Sequence, residues 1–328
     1  MRAVWYDRQG PAGDVIVTGE RPTPEPGTGE VRVRLEASGV NPSDTYRRRG
    51  AVPAEYPRVI PNSDGAGTID KVGPMVPESW VGKRVWLYNG QRNGRWMGTA
   101  AEYISLSADL VTELPAQVSF AEGATLGVPG MTAYGCVFAA GQLQGKIVLV
   151  TGGAGAVGHY AVQLAAWAGA TVIATASSAA KAARAMAGGA AYTIDYRNED
   201  VAARVRDITG GELVDHVVDV DFGGNLAAAL ASVRDGGSIA YYASNGALEP
   251  PVSLRAVMSK NLTIRGFVLP TSPHADSKRA QTGMARFIAT PGRMLSVAGT
   301  FPLYETAAAH MSVEQGGKIG TVVVEPHK

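Results

Sequence analysis

The rhythm of apolar and polar positions changes twice along this 328-residue chain. Residues 31–40, VRVRLEASGV, alternate with period two and predict a strand with one buried face. DGAGTIDKVG (64–73) and GKRVWLYNG (82–90) are shorter runs bounded by Gly and Pro, and they predict further strands. RPTPEPGTGE (21–30) predicts a surface turn. Residues 1–121 therefore read as a barrel-like β module. One stretch interrupts it. SGVNPSDTYRRRG (38–50) reads as a polar loop built for contact, yet it holds no Cys and no His.

From residue 122 onward, helical and strand patterns alternate. KIVLVT (146–151) is a continuous apolar strand. AVGHYAVQLAAWAGA predicts a helix with Val157, Ala161, Leu164 and Ala168 on one face, stopped at Gly169. Then follow a strand at 171–175, a helix from Ala179, a short strand at YTI and a helix over 199–208. The strand VDHVVDV, a helix over 225–234, the strand SIAYY and the strand LTIRGFVL (262–269) complete the series. Six buried strands joined by helices predict a doubly wound parallel sheet. After 270 the pattern gives a helix, a short strand, a helix and a last strand, IGTVVVE.

Composition narrows the picture. Apolar residues make up 45% and charged residues 18%, below the usual ~25% charged. That suits a compact protein with ample core. A net charge of +1 gives no field for nucleic acid or an anionic membrane. No apolar run approaches the ~18 residues of a membrane span, and MRAVWYDRQG has no signal-peptide core. The single cysteine, Cys136, excludes an internal disulfide and a Cys-rich zinc site, and points to a reducing, cytoplasmic compartment.

The most specific motif is VLVTGGAGAVGHYAVQLA. Gly153, Gly155 and Gly158 stand in GxGxxG spacing, after an apolar strand and at the opening of a helix. Such a turn, Gly153-Ala154-Gly155-Ala156-Val157-Gly158, lets backbone approach a pyrophosphate at a helix N-terminus. An acid at the end of the next strand would bind the ribose hydroxyls of NAD. Here that position reads Ala176, Ser177 and Ser178, followed by Lys181 and Arg184, with Tyr196 at the end of the third strand. No acid repels a 2′-phosphate, so the pattern favours NADPH.

At these motifs the chain resembles the medium-chain dehydrogenase/reductase superfamily, specifically the zinc-independent, zeta-crystallin-like quinone oxidoreductases. The resemblance runs nearly end to end, through SGVNPSDTYRRRG, YPRVIPNSDGAGTIDKVG, GTAAEY, GATLGVPGMTAYG, the glycine turn and AAAHMSVEQGGKIGTVVV. It implies a GroES-like catalytic domain from residues 1–121 and 269–328, with a Rossmann domain at 122–268 and the active site in the cleft. It also implies a homodimer through the edge strand around LTIRGFVL. Zinc-dependent relatives carry a Cys near Ser38 or Asn41 and a His-Glu pair where this chain has Asn62, Ser63 and Asp64. The five histidines are scattered, so no metal site is expected.

What remains is hydride transfer without a metal, from NADPH to a quinone, or to an α,β-unsaturated aldehyde or ketone. A non-enzymatic, crystallin-like NADPH- or RNA-binding role is the third reading, and the neutral charge counts against RNA. Family positions lining the nicotinamide match Asn41, Tyr46 and Thr132. Asp44 either borders the substrate or orients its loop, and Tyr88 and Trp96 can wall an aromatic slot, with Trp86 either joining them or packing the barrel. A proton can come from Tyr46, Tyr88 or water. Matching positions in later strands assign Ser244 and Asn245 to the adenosine, Phe267 and Leu269 to the nicotinamide amide, and Lys318 to the phosphates. Arg47, Arg48 and Arg49 read as a solvated run or as an anion contact.

Overall fold

The computed structural model describes residues 1–328. The chain forms two compact units, Met1–Pro129 with Met284–Pro291 and Leu295–Lys328, and Gly130–Gly283 with Gly292–Met294. The family resemblance implies crossings at 121/122 and 268/269. Packing places them at Pro129, inside the π-helical turn Leu126–Met131, and within the helix His274–Ala289.

The first unit is built on a seven-stranded sheet. Its order is Val297–Pro302, Thr321–Glu325, Glu30–Val40, Asp64–Val72, Arg84–Leu87 and Val111–Glu113, with Tyr103–Ser107 also paired to Glu30–Val40. The alternation of 31–40 does what period two requires: Val31, Val33, Leu35 and Ala37 are buried, while Arg32, Arg34 and Glu36 lie outside the core. The strand bends through register shifts at Arg32/Val33 and Leu35/Ala37. Its far end pairs with the C-terminal strand, Val40 opposite Val322. That pairing brings the last segment of chain into the same core, with Leu303, Ala309 and Val313 packed beside Val33 and Ile69.

The second unit holds six parallel strands in the order Tyr192–Asp195, Thr171–Ala176, Ile147–Val150, Val214–Asp219, Val233–Tyr241 and Thr263–Gly266. In order of appearance this is 3-2-1-4-5-6, the doubly wound arrangement. Two later chain segments thus flank the first strand, and a ligand crevice forms beyond its carboxyl end.

Three expectations are corrected. Residues 42–49 are a helix, Pro42–Arg49, not a loop. The helix expected over 225–234 starts earlier, at Phe222, because the Asp221 carboxylate caps it by accepting the Gly224 N–H. The strand expected over 262–269 ends at Gly266, and Leu269–Thr271 is a 3₁₀ turn set by Pro270. The short helices Phe120–Gly123, Thr132–Val137 and Leu254–Ser259 have too few turns for their periodicity to stand out.

Candidate functional site

The glycine turn follows Ile147–Val150 and opens the helix Ala156–Trp167 at its N-cap, Gly155. Gly152, just before the GxGxxG spacing, makes the sharp bend with φ +62°. A Cβ on Gly158 would run into the Gly152 carbonyl, so only glycine lets the helix sit this close to the turn. The bend is locked from the side: Thr175 Oγ1 accepts the Gly152 N–H at 3.0 Å, and Thr151 Oγ1 accepts the Val220 N–H at 2.9 Å. The result is a helix start with free N–H groups over a shaped backbone cradle, which fits a dinucleotide pyrophosphate.

Beside the cradle lies a cavity of about 270 Å³. Leu149, Val201, Val220 and Ala228 give it apolar walls, and Tyr196, Asp221 and Asn225 give it polar edges. Ser177 and Lys181 sit at the end of Thr171–Ala176, and the Lys181 ammonium donates to Ser177 Oγ at 3.1 Å. Ser178 starts the helix Ala179–Ala187 by accepting the Lys181 N–H. Tyr196 follows the neighbouring strand, and its N–H reaches Ala176 O. Three of the sequence-predicted residues are thereby gathered at two adjacent strand ends.

Other predicted positions of this unit hold different posts. Ser244 Oγ accepts the Gly223 N–H at 3.0 Å and donates to Ala247 O at 2.7 Å, so it staples two loops. Asn245 stands beside it in the same loop, exposed. The Phe267 N–H is already given to Tyr241 O at 2.8 Å. Its ring lies on Gly135, where any Cβ would overlap it. Leu269 is buried at the start of the 3₁₀ turn. Thr132 is buried at the start of Thr132–Val137. Cys136 is a free, buried thiol, pushed up to about 12 by desolvation.

In the first unit, the helix Pro42–Arg49 carries a capping box. Asn41 is the N-cap, Pro42 stands at N1, and the Asp44 carboxylate accepts the Asn41 N–H at 2.8 Å. Asp44 is buried and fully engaged by protein, accepting also from Ser63 Oγ at 2.9 Å and from Arg92 Nη2 at 2.7 Å. The Asn41 amide donates to Asp64 Oδ2 at 2.8 Å, and the Val128 N–H donates to the same oxygen at 2.7 Å. Asp64 is wholly buried, and its other oxygen, Oδ1, has no partner. Burial, with the nearby Asp44 charge adding, pushes its carboxyl up to about 8.

A second chain of bonds runs beneath. His310 Nε2 donates to Asn62 Oδ1 at 2.9 Å, and the Asn62 amide donates to Ser38 Oγ at 3.0 Å. Ser38 meets Thr99 Oγ1 at 2.7 Å, and Thr99 donates to Asp64 O at 2.7 Å. The direction of the chain follows from its end, because a carbonyl only accepts. Nothing in the spacing of Asn62, Thr99, Arg92 or His310 marks them in sequence, and Arg92 was missed as a partner of Asp44 for that reason.

The arginine run separates into distinct roles. Arg48 is wholly buried, bonded to Gly10 O and ion-paired with Glu314, which corrects its reading as a solvated charge. Arg47 faces Glu55 at 3.7 Å. Tyr46, by contrast, is 43% exposed. Trp86 and Tyr88 are buried, ring centroids 6.3 Å apart, and burial pushes the Tyr88 phenol up to about 12. Trp96 lines a cleft of about 520 Å³ with Arg21, Tyr56 and Arg58. Lys318, its ammonium depressed by burial, reaches Val313 O at 3.4 Å, near the end of Thr306–Gln315. No three His, Cys, Asp or Glu side chains converge as metal ligands. No helix is long and apolar enough to cross a membrane.

Two family models match the chain, an alcohol dehydrogenase GroES-like domain over residues 27–116 and a zinc-binding dehydrogenase over 156–290. A 2-haloacrylate reductase from Burkholderia sp is 33% identical over 99% of both chains. The crystal structure of Escherichia coli quinone oxidoreductase complexed with NADPH superposes with a TM-score of 0.87 at 26% identity, covering 99% of this chain and all of that one. The crystal structure of an NAD-dependent alcohol dehydrogenase superposes with a TM-score of 0.89 at 30% identity, again over 99% and 100%.

Proposed function

This chain belongs to the medium-chain dehydrogenase/reductase superfamily, in its zeta-crystallin-like quinone oxidoreductase family, and on that premise we propose that it is an NADPH-dependent quinone reductase. Similar folds hold NADPH in one relative and are NAD-dependent in another, so the fold alone does not choose the nucleotide. The residues at the end of Thr171–Ala176 do. There is no acid there, and the Ser177–Lys181 pair beside Tyr196 offers a hydroxyl, a cation and a phenol to a 2′-phosphate. That observation carries the reading.

With its pyrophosphate in the glycine cradle, NADPH would supply a hydride from its nicotinamide. The chain's residues bind and orient. The helix start at Gly155 holds the pyrophosphate, and Ser244 steadies the loop beside the adenosine with Asn245. Phe267 contributes packing, since its N–H is spent on Tyr241, and Leu269 sets the turn that follows. Asn41, Tyr46 and Thr132 position nicotinamide and substrate. Tyr88 is buried against Trp86, which leaves Tyr46 or water as the acid. Lys318 is assigned to helix capping rather than to phosphate binding.

Zinc does not fit this chain. Asn62 and Ser63 are poor ligands, Asp64 is committed to Asn41 and Val128, and no other acid, thiol or imidazole set converges. The proposed reaction is therefore metal-free. We further assign the enzyme as a cytoplasmic homodimer paired along Thr263–Gly266, whose free edge is flanked by the exposed Leu254, Met258 and Val268. The 33%-identical 2-haloacrylate reductase favours a second substrate reading, an activated alkene reduced at the same site.

The test is NADPH oxidation against a panel of quinones, enones and 2-haloacrylate, with NADH in parallel. Turnover of quinones with NADPH preferred at least about tenfold is expected, and Lys181→Ala should erase roughly that tenfold. Turnover of alkenes alone selects the second reading. Equal use of NADH would sink the phosphate assignment.

A further inference from the structure

The first unit holds a cleft that the dinucleotide reading leaves untouched. It measures about 520 Å³ and is lined by Asp7, Arg21, Tyr56, Pro57, Arg58 and Trp96. All six belong to the first unit, and none of Asn41, Tyr46 or Thr132 borders the cleft. Its walls are fixed. Trp5 lies across Gly19, where a Cβ would overlap the ring. The Arg21 guanidinium stands 5.3 Å from the centre of that ring and the Arg58 guanidinium 5.4 Å, so one indole orients both cations. The Tyr56 phenol donates to Gly94 O, which ties segment 50–58 to the loop that carries Trp96. The Ile60 N–H donates to Trp96 O at 2.9 Å and holds the backbone of that loop in turn.

The two cations differ in what they have left to give. Arg58 is forked onto Asp7, Nε to Oδ1 at 2.5 Å and Nη2 to Oδ2 at 3.0 Å. That contact holds the Asp7 carboxyl below its ordinary range, so the acid is charged and spent on Arg58. Arg21 makes no hydrogen bond or ion pair through its guanidinium, and acts on Asp7 only as a charge through space. Its planar fork is an unanswered anion donor inside a cleft. The remaining walls are flat and apolar: Trp96, 38% exposed, with the Tyr56 ring and Pro57. An indole left this open in a cleft is a contact surface for a second ring. We propose that this cleft binds an aromatic carboxylate, its carboxylate forked on Arg21 and its ring packed against Trp96, Tyr56 and Pro57. The volume lies within the ~300–1,000 Å³ of small-molecule sites. Asp7 sets the direction of the ligand, because it repels an acid group from the Arg58 end and leaves Arg21 as the attractive one. A neutral isostere of the same acid gives Arg21 no charge to pair with and loses the charge-assisted bonds.

The experiment is a calorimetric titration of the full chain with 2-naphthoate and, in parallel, with 2-naphthamide, which keeps the ring and drops the charge. Saturating NADPH is present throughout, so that the acid does not occupy the cofactor's phosphate positions. The wild-type protein is expected to bind the acid about tenfold tighter than the amide. Arg21→Gln should bring that ratio near one while keeping the wild-type affinity for NADPH, which shows that the variant is folded. Trp96→Ala should weaken acid and amide alike and preserve the ratio, because it removes the ring contact and leaves the cation. Equal affinity of the wild-type protein for acid and amide, or no binding of the acid, overturns the proposal whether or not the variants fold. So does an Arg21→Gln protein that keeps the wild-type preference, since the acid then sits at another cation, or a Trp96→Ala protein that binds both as wild type does. The proposal does not rest on the dinucleotide reading: if NADPH does not bind, that reading falls, and the same titrations without it still decide this one.

Discussion

Two buried groups of the first unit titrate in opposite senses, and the pH dependence of stability should carry both signatures. Burial depresses His310 from the usual 6.5 to about 4. The unfolded chain then binds the extra proton across that window. The stabilisation is therefore complete above 6.5 and is lost as pH falls toward 4, by up to about 3 kcal/mol. His159, also buried and depressed to about 4, adds a loss over the same range. A His310→Gln protein keeps a donor for Asn62 but no titration, and urea midpoints measured from neutral to mildly acidic pH should fall less steeply than in wild type. An unchanged slope would remove His310 from the account. Asp64 runs the other way. Its carboxyl is raised from 3.8 to about 8, so its contribution is present below 3.8 and drains away as pH rises through 8, at no more than about 1.4 kcal/mol per pH unit. Asp64→Asn imitates the protonated form, with its carbonyl kept toward Asn41 and Val128, and its stability should be flat where wild type declines. At this scale the sequence was legible only where a residue's role follows from its neighbours in the chain. Ser177 and Lys181 are four apart and read as a pair. His310 and Asn62 are 248 residues apart, and only folding makes them partners.

The helix Pro42–Arg49 shows what local pattern can and cannot reveal. Its signals are all in sequence: Asn at the cap, Pro at N1, Asp at N3, three arginines in the last turn and Gly50 beyond. They were outweighed by polarity, because the helix has no apolar stripe to announce it. The stripe is replaced by buried charge. Asp44 of the first turn meets Arg92, whose loop bends through the left-handed Asn89 and Asn93, and the pair is sealed from solvent at 2.7 Å. Removing one member of such a pair strands the other without water. Arg92→Met should cost about 3–5 kcal/mol, whereas the double variant Arg92→Met with Asp44→Asn should recover a large share of it. Chemical denaturation of the two singles and the double decides this, and additive losses would show that the two side chains do not act as a unit. The glycine turn is the opposite case. Strand, turn and helix are contiguous there, so its geometry was readable in full apart from Gly152, which takes the bend just outside the motif.

At the scale of the whole molecule, both architectures followed from rhythm, period two giving the first unit and alternating strand and helix the second. What rhythm does not encode is which strand ends a sheet. The order 3-2-1-4-5-6 leaves Thr263–Gly266 bonded on one side only, to Val233–Tyr241. An edge of this kind normally carries charge or a covering element. Arg265 is drawn off to Asp276 at 2.9 Å instead, and Val268, Met258 and Leu254 stand 60%, 75% and 72% exposed nearby. A second copy laid antiparallel along the strand would satisfy its open backbone groups and cover these side chains by one isologous contact. Sedimentation of the wild-type protein at micromolar concentration should therefore give a dimer. Val268→Asp should give a folded monomer with an unchanged affinity for NADPH, because the substitution adds charge to an exposed edge and leaves the glycine cradle alone. A wild-type monomer, or a Val268→Asp dimer as tight as wild type, would place the subunit contact elsewhere or remove it.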